Sequence, residues 1–334
     1  MIRRPASLRD IVFLGGMLAM LGLLTYSYYY YYAPGPLAVR QTVLFKKGMG
    51  FRAIVDKMAN YGVIDHPWLF KVMAVVLGDA RKFKAGEYEF SAAINPRLVM
   101  SMIAEGRVVV HKITMPEGMN VRQVVAMLNA QELLEGVIVA RIDEGSLLPQ
   151  TYHYVYGDQR QDLIDRMQAG MKTTMAELWE KRAKNLPYTT QTEALTLASI
   201  VEKETNLASE YGRVAAVYIN RLRKGMRLQA DPTVIYGVEL NNDGAPIGRP
   251  LSGTDLRTPS PYNTYVNYGL PPTPIANPGR AAIAATLNPP STNELYFVAT
   301  GTGGHNFSAT LDAHNKSVAN YRTELKKQQQ QKKQ

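Results

Sequence analysis

The sequence predicts an α+β protein that carries a single apolar helix near its N-terminus. Residues 11–39 contain no Asp, Glu, Lys or Arg, which sets them apart from the rest of the 334-residue chain. Beyond them, short segments with strand alternation, such as 85–90 (AGEYEF), are interleaved with helical patterns, such as 96–106 (PRLVMSMIAEG). We therefore expect two mixed units, a small one over 41–115 and a larger one over 116–325.

A membrane-spanning helix is expected over residues 11–32. At 1.5 Å per residue this stretch is about long enough to cross the hydrocarbon core of a bilayer. Tyr26 and the tyrosines at 28–32 suit the interfacial belt at one end of such a helix. A cleaved signal peptide is the alternative, but Tyr31 is bulky where the cleavage site of such a peptide prefers a small residue.

Charges beside this helix predict its direction through the membrane. Three arginines lie in the first ten residues, namely Arg3, Arg4 and Arg9. The positive-inside rule therefore predicts that residues 1–10 are cytoplasmic. A Pro-containing linker, 33–40, leads to a part outside the membrane, which in a bacterium faces the periplasm or the wall from the inner (plasma) membrane.

The elements of the two units follow from local patterns. In the small unit, the strand at 85–90 and the helix at 96–106 precede a second strand over 107–115. In the larger unit, helical patterns cover 161–184, 193–207, 210–224 and 280–287, and a strand pattern covers 294–300. Pro and Gly concentrate between 246 and 279, which predicts loops. The last residues, 326–334, have no apolar side chain and are expected to be disordered.

Composition and charge exclude several kinds of chemistry. The chain has no cysteine, which excludes disulfides, cysteine nucleophiles and cysteine-ligated metals, and its five histidines lack metal-binding helical spacing. We expect neither a metal nor a cofactor. The net charge is +10, of which residues 1–10 contribute +2 and 321–334 contribute +4. The remaining charge is mild and suits an anionic wall polymer. Nucleic acid is excluded as a partner because the chain is expected to be exported.

The segment 195–222 carries the strongest local signal for a site. With residues 100° apart around a helix, Glu204 falls on the apolar side, together with Leu197, Ile200, Val201 and Ala208. On the same helix, Glu202 and Lys203 are expected to point toward water. A buried ionised carboxylate is costly, so Glu204 is expected to be either paired or partly neutral with a raised pKa.

Two interpretations of Glu204 follow. A carboxylic acid that stays protonated near neutral pH can protonate a glycosidic oxygen. Alternatively, Glu204 pairs with a nearby arginine, Arg221 or Arg223, and only joins two helices. Two turn regions, 227–237 and 260–265, add amide, hydroxyl and aromatic side chains, a mixture that suits sugar binding but is also common in turns.

These segments also resemble a known family. ASIVEKET, INRLRKGMRLQADPTVIYG, SPYNTY, GLPPTPIANPG, YFVATGTGGHNFS and HNKSV follow one another in the order and spacing of the endolytic murein transglycosylase family MltG, also called YceG-like. The resemblance implies a LysM-like small domain over 41–115 and a peptidoglycan-cleaving domain over 116–325. It also implies that the catalytic glutamate is the second Glu of the E-K-E triplet, Glu204.

The resemblance extends to residues of a glycan groove. It makes candidate substrate-binding residues of Gln229, Asp231, Tyr262, Asn263, Tyr265 and His305. Asp231 precedes a proline in a turn and could equally cap a helix. In EGSLLPQTY, Gln150 stands where the family tends to have Asp, so an acidic function at that position is in doubt.

The expected function is that of an endolytic lytic transglycosylase. It would cut the β-1,4 bond between N-acetylmuramic acid and N-acetylglucosamine in nascent glycan strands, form a 1,6-anhydro end and terminate strand elongation. The alternative is a non-catalytic, membrane-anchored peptidoglycan-binding scaffold for wall synthases. Peptidoglycan strands are the expected partner in both cases, and penicillin-binding synthases are further candidates.

Overall fold

The computed structural model of the chain describes residues 7–301 and 303–331. Across these residues there are eleven α-helices and six short strands, the strands paired into three two-stranded sheets. The predicted mixture of helix and sheet is therefore confirmed. The described residues divide into two compact units. The small unit comprises residues 7–111 together with 153–158, and the larger unit comprises 112–152, 159–301 and 303–331.

The elements have the following bounds. The helices are α1 Leu8–Tyr32, α2 Phe51–Asn60, α3 Pro67–Val76, α4 Pro96–Glu105, α5 Val121–Asn129, α6 Arg160–Glu180, α7 Gln191–Glu204, α8 Tyr211–Arg223, α9 Asp231–Asn241, α10 Arg280–Leu287 and α11 Leu311–Gln331. The strands are β1 Gln41–Phe45, β2 Gly86–Phe90, β3 His111–Thr114, β4 Thr151–Tyr154, β5 Tyr296–Ala299 and β6 His305–Ser308. Two sheets, β1–β2 and β5–β6, are antiparallel.

Helix α1 is long and apolar enough to cross a membrane. It begins earlier than predicted because Ser7 and Asp10 form a capping box, in which Ser7 N donates to Asp10 Oδ2 over 2.9 Å. The negative charge of Asp10 in the first turn also interacts favourably with the helix dipole. Residues 1–6 of the predicted cytoplasmic segment lie outside the described residues.

The small unit packs three helices against the β1–β2 pair. Its core contains the inward-facing residues of the strands, Val43, Phe45, Tyr88 and Phe90, and apolar residues of α2, α3 and α4. The alternation that predicted a strand at 85–90 therefore marks the buried face of β2. The predicted strand over 107–115 is shorter than expected and is reduced to β3.

The larger unit is built around α7. A capping box between Thr190 and Glu193 starts this helix, and α8, α9 and α10 pack against it. The predicted helix over 193–207 ends earlier, at Glu204, because Thr205 is extended at φ −145° and ψ 144°. Glu204 is consequently the last residue of α7.

The prediction for the C-terminal residues differs from the structure. Residues 326–331 continue α11 instead of being disordered, whereas 332–334 lie outside the described residues. Lys and Gln are good helix formers, so a helix can continue through them without an apolar face. Helix α9 was also not predicted, because its sequence begins in a turn motif, Ala-Asp-Pro.

Candidate active site

Glu204 lines a cavity of about 170 Å³ in the larger unit. The cavity is formed where the end of α7 meets α8, the start of α9, the loop before α9 and strand β5. Its lining residues are Glu204, Tyr218, Arg221, Leu228, Gln229, Asp231, Tyr265 and Phe297. Residues far apart in sequence thus surround one carboxyl group, which is the arrangement expected of a binding or catalytic cavity.

The environment of Glu204 favours its protonated form. Burial raises the pKa of Glu204 to about 7, and the negative charge of Asp231 acts in the same direction. A hydrogen bond with Tyr218 and the positive charge of Arg221 oppose this shift but do not cancel it. Glu204 Oε2 is buried and has no hydrogen-bond partner in the part of the chain that the structure describes. This carboxyl group can therefore hold a proton near pH 7 and release it with a small change in environment.

The alternative in which Glu204 forms an ion pair is wrong. Arg221 is buried, and its guanidinium donates to the carbonyl oxygens of Leu295 and Leu228, each over 2.7 Å. Arg223 instead donates to Asn185 O over 2.5 Å. Within residues 7–301 and 303–331, no ion pair reaches Glu204. Arg221 therefore links the residue before β5 and the loop before α9 to helix α8.

The expectation that Glu202 faces water is also wrong. Glu202 is only 7 % exposed, and its carboxylate accepts hydrogen bonds from Tyr211 Oη (2.6 Å) and Gly279 N (2.9 Å). The helical projection assumed one apolar face, but α7 is covered on several sides by other helices. Lys203, between the two glutamates, is exposed as expected.

Three of the predicted groove residues lie in the Glu204 cavity. Gln229, Asp231 and Tyr265 all line it. Tyr265 Oη donates to Asp231 Oδ1 over 2.5 Å, which holds the Asp231 carboxylate at the cavity. Gln229 has a left-handed backbone, φ +51°, a strained conformation that is concentrated at functional sites. Asp231 is the first residue of α9, whose cap is Ala230 without a side-chain cap bond, so Asp231 does not cap the helix.

The other three predicted groove residues lie outside this cavity. Tyr262 Oη shares a hydrogen bond with Thr273 Oγ1 at 2.8 Å. Asn263 is 1 % exposed, and its Nδ2 donates hydrogen bonds to backbone carbonyls of its own loop. Its Oδ1 accepts from Tyr265 N over 2.9 Å. His305 Nδ1 lies 2.7 Å from Glu210 Oε2. Asn263 thus shapes the turn that presents Tyr265.

Sequence reasoning missed Tyr218, Arg221, Leu228 and Phe297 as parts of the cavity. Tyr218 and Arg221 are three residues apart on α8, so they share a helix face, and both are buried. The spacing alone did not mark them as cavity residues, because arginine is seldom fully buried and the fold decides that it is buried here. Leu228 and Phe297 are ordinary apolar residues, and only the fold places them there.

The family-model comparison identifies the chain over most of its length. The model described as the YceG-like family matches residues 43–320. The chain belongs to the YceG-like family. In the described residues of this YceG-like chain, no group of three or more His, Asp or Glu is arranged to hold a metal ion.

Relatives of the YceG-like chain agree with this assignment. It is 30 % identical over 307 residues to the endolytic murein transglycosylase of Bacillus subtilis (strain 168), and the matched region covers 82 % of each chain. It is 33 % identical over 180 residues to the endolytic murein transglycosylase of Streptococcus pneumoniae (strain D39), covering 53 % of this chain and 32 % of that one. A crystal structure of a yceG-like protein from Listeria monocytogenes matches with a TM-score of 0.55 and 29 % identity, covering 83 % of this chain and 98 % of that one.

A second acidic group of the larger unit, Glu144, also has an unusual environment. Burial raises its pKa to about 7. Its carboxylate accepts from Val121 N over 2.8 Å and from Tyr236 Oη over 3.3 Å. Glu144 does not line the Glu204 cavity, so the effect of burial on its pKa can be tested independently of Glu204.

We expect Glu144→Gln to weaken the dependence of stability on pH. Because the folded pKa of Glu144 lies above its ordinary value, the folded chain binds this proton more tightly, and stability is lost as pH rises from about 4.5 to about 7. The loss is at most about 3.5 kcal/mol for this group, at about 1.4 kcal/mol per pKa unit. Urea unfolding of the full chain in detergent at pH 5 and pH 8 measures it. Equal pH dependence in Glu144→Gln, the wild type and the exposed-site control Glu180→Gln would contradict this role.

Proposed function

We propose that the chain is an endolytic lytic transglycosylase of peptidoglycan. It cleaves the β-1,4 bond between N-acetylmuramic acid and N-acetylglucosamine within nascent strands and leaves a 1,6-anhydro end, which terminates strand growth. The observation that carries the proposal is Glu204: a carboxyl group with a pKa raised to about 7, one oxygen without a partner among the described residues, and a cavity beside it. Relatives named endolytic murein transglycosylase support the substrate.

In this mechanism Glu204 acts first as an acid and then as a base. Its proton goes to the glycosidic oxygen, and the bond between that oxygen and the anomeric carbon breaks. The resulting carboxylate then takes the proton of the 6-hydroxyl group of N-acetylmuramic acid. The 6-oxygen bonds to the same anomeric carbon and closes the anhydro ring. Glu204 is again a protonated carboxylic acid at the end, so the cycle consumes no water. A pKa near 7 suits both roles.

The neighbours of Glu204 have distinct roles in this proposal. Asp231 raises the Glu204 pKa and, as a carboxylate at the cavity, favours positive charge that develops on the sugar ring. Tyr265 holds Asp231 in place through its hydroxyl group. Gln229 offers an amide to the sugar hydroxyls. Asn263 supports the loop that presents Tyr265, and Tyr262 and His305 contact more distant sugars.

We also propose that the enzyme is anchored at the membrane. Helix α1 anchors it in the bacterial inner membrane, with residues 1–10 in the cytoplasm and the larger unit on the outer side. We propose that a LysM-like domain spans 41–115 and that the catalytic domain spans 116–325. Nascent strands are made at this membrane surface, so penicillin-binding synthases are the proposed protein partners.

A hydrolytic muramidase is the second candidate, and one observation favours it. Asp231 and Glu204 line the same cavity, and most glycoside hydrolases use two carboxyl groups. In that reaction water would attack and the product would carry a reducing end. A binding scaffold without catalysis would leave strand lengths unchanged.

Mass spectrometry of digestion products distinguishes these candidates. We expect the full chain to convert isolated glycan strands into products that end in 1,6-anhydro-N-acetylmuramic acid. Reducing ends from wild type together with complete inactivity of Asp231→Ala would establish hydrolysis, and intact strands would establish the scaffold.

The Asp231→Asn variant is expected to shift the pH profile of activity. In this variant the pKa of Glu204 falls because a negative charge is removed, so the protonated acid is lost at lower pH. The alkaline side of the activity profile therefore shifts to lower pH.

A further inference from the structure

Helix α3 of the small unit is apolar on two sides. Its inner side, which includes Leu69, Phe70 and Ala74, is buried in the core of the unit. Its outer side exposes Trp68, Val72, Val75 and Val76, of which Val76 is 79 % exposed. These four positions are i, i+4, i+7 and i+8, so they form one continuous stripe along the helix. An exposed stripe of this kind indicates an apolar partner.

Helix α1 lies beside this stripe. A groove of about 410 Å³ separates the two helices. Its lining includes Leu23, Leu24 and Tyr28 of α1 and Trp68, Val72 and Val76 of α3. Tyr26 Oη and His66 Nε2, at the start of α3, are 2.9 Å apart. The Arg97 guanidinium lies 5.5 Å from the centre of the Tyr32 ring. The end of α1 thus contacts the small unit at the start of α3 and at α4.

The position of the groove along α1 determines whether lipid or water covers it. Leu23 and Leu24 are eight to nine residues from the end of α1, which is about 12–14 Å at 1.5 Å per residue. If α1 spans the membrane, these leucines lie in the hydrocarbon core, and the tyrosines that follow lie in the interfacial belt. A groove lined by both sets of residues is then open to lipid rather than to water.

Charges around α3 are arranged to suit a lipid surface. Lys71, the one charged residue of α3, borders the stripe, one helical turn from Trp68 and Val75, but its charge is paired with Asp56 of α2 over 2.5 Å. Arg81 and Lys82 follow the end of the helix, and both are exposed. Lys82 pairs with Asp79, which leaves Arg81 to meet lipid phosphates. An apolar helix face with cationic residues at its end is typical of interfacial helices.

We propose that α3 is an interfacial helix that inserts its exposed apolar stripe into the outer leaflet beside α1, so that the small unit rests on the bilayer. The occupant of the groove is phospholipid, whose acyl chains contact the valines and whose phosphates meet Arg81. The proposal rests on the membrane anchor proposed above, but it is independent of the chemistry at Glu204. It assigns to the small unit the task of orienting the exported part at the membrane.

Trp68 provides a direct test, because the chain has only two tryptophans, Trp68 and Trp179. The full chain carrying Trp179→Phe is placed in nanodiscs of phosphatidylglycerol and phosphatidylethanolamine. We expect Trp68 fluorescence to be quenched by lipids brominated on their acyl chains and to lose quenching by aqueous iodide. The Trp68→Phe chain, which keeps Trp179, verifies that iodide quenches a tryptophan outside the stripe.

Variants with added charge test the stripe itself. Val72→Glu combined with Val76→Glu, in the Trp179→Phe chain, is expected to lose quenching by brominated lipid. These valines are exposed, so the core of the unit is unchanged. The matched control places glutamates at two exposed positions of α2, Ala53 and Asn60, and is expected to keep the quenching.

A separate probe in α1 distinguishes failure of this proposal from failure of the anchor. Leu21→Trp in a chain without Trp68 and Trp179 reports whether α1 lies in the bilayer. Quenching of this probe by brominated lipid, with Trp68 quenched only by iodide, would overturn the interfacial helix and leave the anchor intact. Trp68 shielded from both quenchers would also overturn it, in favour of a protein cover. Absence of lipid quenching at both positions would overturn the anchor as well.

Discussion

Glu204→Gln is expected to abolish formation of anhydro-ended products while glycan strands still bind. Glutamine keeps the size of the side chain but has no proton to give to the glycosidic oxygen and no carboxylate to accept one. General acid–base catalysis contributes about 100-fold to 10,000-fold to a rate, so a loss of at least this order is expected. The measurement compares initial rates of product release by mass spectrometry, and strand binding by sedimentation with insoluble peptidoglycan.

The control for this variant is another glutamate of the larger unit. Glu180 is exposed at the end of α6, so Glu180→Gln makes the same chemical change outside the cavity and is expected to retain wild-type rates. Product formation by Glu204→Gln within a few-fold of wild type would exclude Glu204 as the acid. Loss of binding together with activity would show that Glu204 serves the structure of the cavity instead.

The second large effect is on stability and is expected for Glu202→Leu. The Glu202 carboxylate accepts from Tyr211 Oη and Gly279 N, and leucine leaves both buried donors without an acceptor. An unsatisfied buried donor costs about 1–3 kcal/mol, so the two together are expected to lower the free energy of unfolding by about 2–6 kcal/mol. Urea unfolding of the full chain in detergent measures this loss.

Tyr211→Phe separates the hydrogen bonds from the packing of Glu202. Alone, it removes one donor and is expected to cost less than Glu202→Leu. In the Glu202→Leu background its additional cost is expected to be small, since its partner is already absent, and the difference gives the coupling free energy. Additive costs of the two substitutions would mean that the hydrogen bond contributes nothing and that Glu202 acts through packing.

The two glutamates of the E-K-E triplet illustrate how far sequence reasoning reached. Periodicity correctly placed Glu204 near apolar residues, and the pKa raised to about 7 agrees with that expectation. The same periodicity misplaced Glu202, because a projection around one helix cannot show that other helices cover its remaining sides. Burial of a polar residue of this kind depends on partners distant in sequence, here Tyr211 and Gly279.

The candidate groove residues separate for a similar reason. Residues in one motif need not face one cavity, since a turn points successive side chains in different directions. In SPYNTY, Tyr265 lines the Glu204 cavity, Asn263 is buried inside its loop, and Tyr262 contacts Thr273. Arg221 could have paired with Glu204 by its position on α8, but backbone carbonyls accept its hydrogen bonds instead.

The sequence by itself determined the local features of this protein. The uncharged stretch before residue 40, the strand at 85–90, the helix at 280–287 and the apolar surroundings of Glu204 all depend on interactions between neighbours in the chain. The tertiary structure alone decided that Asp231 and Tyr265 join Glu204, and that α3 presents an apolar stripe beside α1. The physical reason is that a cavity, a shifted pKa and an exposed surface depend on which distant segments exclude water from a group, and local periodicity carries no information about those segments.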